Sequence, residues 1–266
     1  MHLNTIIMIA MIALAIIVIV LFILVLRLKK QRNTAIKELK EQKDRYEYDM
    51  HKAEIVSLQS QINPHFLYNT LEVIRSEAMI NKDPVAAQMA ESLANYFRYN
   101  ISRRSDIVSL GDELDNLENY ILIQKKRFGS RVNYEVDYQT DKQEARGAQI
   151  PKLSLQPLVE NSIYHGIETK AQGGTVTVHV TVTGKRLIIN VADDGVGMTV
   201  EELKELNRHI TQDIKIKKED DRHGGIALMN VNKRIRMMYG DQYGLSFSSV
   251  KEIGTEAEIT LPYIPG

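Results

Sequence analysis

The sequence predicts a membrane-anchored multidomain chain: one N-terminal transmembrane helix, a helical hairpin that dimerises into a four-helix bundle, and a C-terminal α+β sandwich. Three observations predict this. Residues 5–26 form an uncharged apolar run, apolar residues recur at helical spacing between Ile55 and Phe128, and strand-like alternation begins after Gly129. The expected divisions are an extracytoplasmic stub at 1–4, the transmembrane helix at 5–26 and a helical linker at 27–54. The dimerisation helices follow at 55–129 and the sandwich at 130–266.

Composition sets the first limits. Of 266 residues, 26% are charged and 44% hydrophobic, ordinary values for a folded protein, and the formal net charge is zero. Nothing global therefore argues for nucleic acid as a partner. Cysteine is absent, which excludes disulfides and thiolate metal sites. The run TIIMIAMIALAIIVIVLFILVL, rising 1.5 Å per residue, is long enough to cross a hydrocarbon core of about 30 Å. Arg27, Lys29, Lys30 and Arg32 follow it and no charge precedes it, so the positive-inside rule puts residues 1–4 outside and the remainder in the cytoplasm. A cleaved signal peptide fits poorly: the charges lie on the wrong side, the run is too long and no A-x-A site follows.

After the span, Ile36, Leu39, Tyr46, Met50 and Ala53 approximate a heptad, broken at Lys43 and Ser57. A short, imperfect parallel coiled coil accounts for this pattern better than a free linker. A solvated helix without a partner is the alternative. Ile55, Leu58, Ile62, Phe66, Leu71, Ile74 and Ala78 then mark a helix to about Ile80. Asn81-Lys82-Asp83-Pro84 reads as stop and restart, with Asp83 capping a helix whose first position is Pro84 and which runs to about Asn100. SLGDELDNLENYILIQKKRF supplies another helix, with Leu110, Leu114, Leu117, Ile121 and Phe128 on one side. A hairpin of two helices cannot bury two apolar faces alone, so a second copy is its natural completion.

Beyond Gly129, RVNYEVDY, TVTVHVTV, RLIINVAD, LSFSSV and EAEITLPYI read as strands. KLSLQPLVENSIYHGI and GIALMNVNKRIRMMYG read as helices, and residues 199–222, polar and lysine-rich, as a loop or short helix near a site. The elements do not alternate regularly as β-α-β, which argues for helices on one face of a mixed sheet.

Four blocks carry chemistry. SLQSQINPHFLYNTLEVI puts His65 directly after Pro64 within a helical pattern, although a mid-helix proline costs about 3 kcal/mol. Near neutral pH an imidazole offers an unprotonated nitrogen able to attack phosphorus. Asn69, four residues on, shares its helix face and can orient the ring or a hydrolytic water. In LVENSIYHG, Asn161 sits mid-helix among apolar residues. Either a Mg²⁺ bridging phosphates or a core hydrogen bond would satisfy its amide. Glu160 is read as a supporting or a surface acid. In VADDGVGM, Asp193 ends a strand and can accept from an adenine amino group, while Gly195 and Gly197 let the backbone turn beside a planar ligand. Gly224 and Gly225, just before a helix, offer backbone donors to phosphates. Taken singly, DDGVG is better read as an ordinary glycine-rich turn, and a glycine-bearing helix start such as Gly224-Gly225 is common.

In this order the blocks resemble the LytS/YesM-type sensor histidine kinases, over roughly Leu58 to Pro262. LQSQINPHFLYNTL resembles the phosphoacceptor box with His65 in the phosphorylated position, and YILIQKKRF the helix leading into the catalytic domain. LVENSIYHG resembles the N box, DDGVG the G1 box and GGIALMNVNKRI the G2 box. The resemblance implies a helical phosphoacceptor hairpin followed by a GHKL (Bergerat-type) ATP-binding domain, with ATP and Mg²⁺ as cofactors and Asn161 as the magnesium ligand. It implies a nucleotide-binding set of Asn161, His165, Gly166, Asp193, Gly195, Gly197, Gly224, Gly225, Ala227 and Leu228. The implied reaction is autophosphorylation of His65, then transfer to an aspartate of a response regulator, by a homodimer in the cell membrane.

Three departures qualify the pattern. Ala227 stands where G-x-G-L is common, which tightens phosphate approach. Pro157 stands where the superfamily's ATPases carry a water-activating glutamate four residues before the asparagine, which favours transfer to histidine over hydrolysis. The third is a single span where family members carry a sizeable sensor, so sensing through the span or through a membrane partner is expected. His65 is followed by Phe66, so no adjacent carboxylate takes its proton. Two other readings compete: a response-regulator phosphatase, suggested by Asn69, and a catalytically weak ATP-binding scaffold, suggested by Ala227.

Overall fold

The computed structural model describes residues 27, 29, 30, 64–102, 105–212 and 225–266. The expected span at 5–26, nearly all of the linker, residues 55–63 of the first hairpin helix, residues 213–222 and Gly224 lie outside the described residues. Among the described residues no helix is long and apolar enough to cross a membrane. The chain divides into two units, residues 1–63 and 64–266. Of the first, Arg27, Lys29 and Lys30 are described, all helical and exposed. The rest concerns the second.

Helices α1 (Pro64–Ile80) and α2 (Pro84–Ile101) form an antiparallel hairpin. Its turn follows from its residues: Asp83 accepts from the N–H groups of Val85 and Ala86, and Pro84 fills the first helical turn where no donor is needed. The hairpin buries Leu71 and Ala78 of α1 and Ala87, Ala90 and Ala94 of α2, so small residues let the helices pack closely. The apolar residues of α1 do not form one face. Phe66, Val73, Ile74, Met79 and Ile80 point outward, with Phe66 70% exposed, and Phe66, Val73 and Ile80 repeat every seven residues.

Helix α3 (Leu110–Phe128) starts with a reciprocal cap. The Ser109 hydroxyl accepts from the Asp112 N–H, and the Asp112 carboxylate from the Ser109 N–H. Its expected ladder of Leu110, Leu114, Leu117 and Ile121 is buried, but in the same core as the sheet. That sheet has the order β2 (Val132–Tyr138), β4 (Gly174–Thr183), β5 (Arg186–Asp193), β7 (Gly254–Pro262), β6 (Gly244–Val250). Only the β2–β4 pairing is parallel. Period-two alternation turns Val176, Val178 and Val180 of β4, Leu187, Ile189 and Val191 of β5, and Ala257, Ile259 and Leu261 of β7 to one face. Covering it are α3, α5 (Gln156–Asn161) and α7 (Gly225–Tyr239), the last through Leu228, Val231 and Ile235. Each of these buried valine, leucine and isoleucine side chains is worth about 1.5–3 kcal/mol.

Four details exceed the sequence reading. Ile107–Ser109 (β1) and Gln149–Pro151 (β3) pair as a separate two-stranded sheet, and α4 (Lys142–Gly147) is capped by Asp141. The polar segment after Thr199 is helical over Val200–Gln212 (α6), anchored by Leu206 and Ile210. The single helix expected through residue 167 is α-helical only to Asn161 and continues as a π-turn over Ser162–Ile167. Asn161 is therefore at a helix junction, not mid-helix.

Candidate active site

The helix carrying Asn161 is held from outside itself. It begins at Gln156 with Pro157 in its first turn, where the missing N–H costs nothing, and no side chain of its own caps it. The cap is Glu113, buried on α3 between the leucines that face the core. Its carboxylate accepts the N–H groups of Leu153 (2.6 Å), Ser154 (3.1 Å) and Leu155 (3.2 Å), placing negative charge at the positive end of the helix. At the other end the π-turn widens the backbone, with the Glu168 N–H donating to Ile163 O at 2.8 Å. The Arg131 guanidinium closes the turn by donating to the carbonyls of Glu168 and Lys170. Asn161 Oδ1 is buried without a hydrogen-bond partner. An orphaned buried amide oxygen is costly unless something absent here meets it. A hard oxygen-seeking cation such as Mg²⁺ fits it.

Strand alternation supplies the second group. Asp193 continues the inward series of Leu187, Ile189 and Val191, so its carboxylate falls on the core side, 8% exposed. Burial pushes its pKa up, partly offset by hydrogen bonds from the Ser162 hydroxyl and the Gly195 and Thr255 N–H groups. The turn after it is locked. A Cβ on Gly195 would lie 2.5 Å from Gly166 Cα, and the Val196 N–H donates to Gly166 O at 3.1 Å. Gly197 has φ +61°, with the carbonyl of Val250 2.1 Å from where its Cβ would stand. Asp194 ties the turn to β4, accepting the Thr175 N–H at 2.8 Å. Ser162 and Gly166 of the π-turn thus meet Asp193 and Gly195 on one rim at the end of β5, with Asn161 next to Ser162 in the chain and Gly197 two residues beyond Gly195. His165 is half-buried beside it, its ring edge-on to Tyr164.

Gly225 opens α7 and is buried, Leu228 anchors that helix in the core, and Ala227 is exposed at its start. The N-terminus of a helix is a ready place for anionic oxygens. On the hairpin, His65 is exposed in the first described turn of α1, and Asn69 Nδ2 lies 3.3 Å from its Nδ1.

Sequence reasoning missed Glu113, Gln156, Arg131, Tyr96 and Tyr99. The Tyr99 hydroxyl donates to Glu113 at 2.5 Å and the Tyr96 hydroxyl to Glu160 at 2.8 Å. Gln156 joins Tyr96, Glu160 and Asn116. Glu160 is therefore a supporting acid, not a surface one. The signal available in the sequence was an acid inside the leucine ladder of α3.

Comparison with known proteins follows the same division. Residues 53–132 match the family model described as histidine kinase. Residues 151–265 match the model described as histidine kinase-, DNA gyrase B-, and HSP90-like ATPase. Sensor histidine kinase YesM of Bacillus subtilis is 34% identical over 227 residues, covering 85% of this chain and 36% of that protein. Sensor histidine kinase YpdA of Escherichia coli is 36% identical over 214 residues (79% of this chain, 34% of that protein). Sensor protein LytS of Oceanobacillus iheyensis is 31% identical over 215 residues (79% and 34%). The chain belongs to the LytS/YesM-type sensor histidine kinases. The chain spans about a third of the length of the curated relatives it matches. Its first matched region holds His65, Asn69, Tyr96, Tyr99 and Glu113, and its second the Asn161, Asp193 and Gly225 groups.

Proposed function

We propose that this chain is the kinase part of a two-component sensor: it phosphorylates His65 from ATP and passes the group to an aspartate of a response regulator. The observation that carries the reading is the unpartnered buried Oδ1 of Asn161 on the same rim as the buried Asp193 carboxylate, joined through the Gly166–Gly195 contact. One group suits a cation on phosphates, the other an exocyclic amino group, and the glycines leave space for a flat ring between.

In the proposed reaction a nitrogen of His65 attacks the γ-phosphorus of ATP. An N–P bond forms, the bond to the β–γ bridging oxygen breaks, ADP leaves, and the imidazole proton is lost to solvent. Asn69 holds the ring: its Nδ2 lies 3.3 Å from His65 Nδ1, and turning the side-chain amide over puts its oxygen on Nδ1–H and leaves the Nε2 lone pair for attack. Asp193 accepts from the adenine amino group, Gly195 and Gly197 admit the ring, and the N–H groups at the start of α7, with Gly224, Gly225, Ala227 and Leu228, take the phosphates. His165 and Gly166 complete the rim. Asn161 would hold Mg²⁺, which supplies charge neutralisation on the phosphates when bound.

The outward stripe of Phe66, Val73 and Ile80 supports a homodimer through a four-helix bundle, and the apolar run at 5–26 supports a cell-membrane anchor with the kinase in the cytoplasm. The hairpin then comprises α1 and α2, while α3 travels with the ATP-binding sandwich whose core it shares. One observation favours a second reading. Asn69 beside His65 is also placed to orient water against a phosphorylated aspartate, making the protein a regulator phosphatase.

The full chain in lipid vesicles, incubated with γ-labelled ATP and Mg²⁺ beside His65→Gln and Asn161→Ala, tests the kinase. Acid-labile, base-stable label on the parent alone supports it. An unlabelled parent that still binds nucleotide removes it in favour of the phosphatase.

A further inference from the structure

The polar bonds between α2 and the sandwich crowd into the last turns of α2. Tyr96 and Tyr99, three residues apart, share a helix side. The Tyr96 hydroxyl donates to Glu160, the residue before Asn161, and receives a bond from Gln156 Nε2 at 2.5 Å. The Tyr99 hydroxyl donates to Glu113, whose remaining bonds cap the start of the same helix. Around them Asn116 reaches Asn100 (3.4 Å), Lys152 Nζ donates to Ser102 O (2.6 Å) and lies over the Tyr99 ring, and the Tyr96 ring stacks on Tyr120. The short helix that bears Asn161 is thus gripped at both ends by one pair of tyrosines on the hairpin.

The grip also has a height. The Tyr68 hydroxyl donates to Phe97 O at 3.4 Å and Arg98 lies over the Tyr68 ring, so Tyr68 is level with the residues between the two tyrosines. His65 is three residues before Tyr68, about 4.5 Å along the axis. The phosphoacceptor and the Asn161 helix are therefore fixed to the same end of the hairpin. Burial and the adjoining carboxylates push the pKa of both tyrosines up, which keeps the hydroxyls protonated as donors.

We infer that Tyr96 and Tyr99 are positioning residues of the autophosphorylation: their hydroxyls dock the ATP-binding sandwich on the hairpin at the level of His65, and so act on phosphoryl transfer and not on nucleotide affinity. The inference rests on the kinase reading. Among the described residues neither hydroxyl bonds to Asn161, Asp193 or the glycine turn. Each acts through an acid that holds the Asn161 helix, and a reacting pair misplaced by about 1 Å loses of the order of a hundredfold in rate.

The test uses Tyr96→Phe, Tyr99→Phe and the double variant of the full chain in vesicles, since phenylalanine keeps the rings and removes only the hydroxyls. Measured together are the initial rate of His65 labelling against ATP concentration and the affinity for a fluorescent ADP analogue. The expected result is a fall in kcat of about tenfold or more in the double variant, with KM for ATP and analogue affinity within about twofold of the parent. Unchanged kcat would overturn the inference. So would a raised rate, which would make the contacts a brake, and so would loss of analogue affinity with or without loss of fold, which would make them supports of the pocket. A parent that takes no label fails the kinase reading itself, whatever the variants do.

Discussion

Gly195 and Gly166 meet backbone to backbone, with 2.5 Å between the Cβ position of Gly195 and Gly166 Cα. The nearest atoms belong to the chain itself and cannot swing aside. Gly195→Ala should therefore force the two segments apart, lowering unfolding free energy by about 1–3 kcal/mol and nucleotide affinity at least tenfold. Gly147→Ala, with open space at its Cβ, is the matched control and should melt at or slightly above the parent temperature. Thermal melting with and without ADP checks both.

Asn161→Ala removes an amide oxygen that the apo protein does not satisfy. The variant should be no less stable than the parent, and up to about 1 kcal/mol more stable, while its ATP affinity becomes the same in Mg²⁺ as in EDTA. Titration under the two conditions, beside a denaturant melt, would show it. A variant that keeps magnesium-dependent affinity would take the cation away from this residue.

Asp193 has a folded-state pKa raised above its ordinary value of 3.8, chiefly by burial. The protonated form is the one the fold favours, so its stabilising contribution is complete below that value and is lost as pH rises through the folded pKa. Asp193→Asn cannot titrate. Between pH 7 and pH 4 the apo parent should gain stability relative to Asp193→Asn, and melting curves of both across that range give the difference. A gap that stays constant would mean the carboxylate is not desolvated.

Glu113→Ala leaves three N–H groups and the Tyr99 hydroxyl without their acceptor. Buried donors stranded in this way cost about 1–3 kcal/mol each at most, so a loss of 3 kcal/mol or more is expected. Glu113→Gln keeps one acceptor oxygen and should fall between parent and alanine in a urea melt.

What could be read in advance divides by physical cause. The strands from Val132, Thr175 and Arg186 announced themselves through β-branched alternation, and Asp83-Pro84 announced a cap, because both signals are local. Asp193 and the glycine turn were legible for the same reason. The π-turn was not: SIYHGI looks helical, and the segment it packs against at Gly166 is the distant turn at Gly195, after β5. Glu113 stood out as an acid in a leucine ladder, but its role was illegible, because such an acid looks the same in sequence whether it meets water or three buried N–H groups. Spacing alone marked α1 as a helix but could not say that Leu71 is buried while Phe66 points outward. Tyr96 and Tyr99 carry no local signal, because their partners are 64 and 14 residues away.

The single parallel pairing in the sheet joins β2 to β4, with Val132 opposite Gly174. A parallel neighbour can be reached only by a crossover, and here the crossover contains α4, β3, α5 and the π-turn. The segment that bears Asn161 is thus the strap that brings the edge strand home. Its loop-closure entropy must be met before any β2 hydrogen bond can form, and it cannot melt alone without slackening that strand. Amide exchange along residues 132–138 should therefore slow when nucleotide binds. A strand that never touches the ligand would report its arrival.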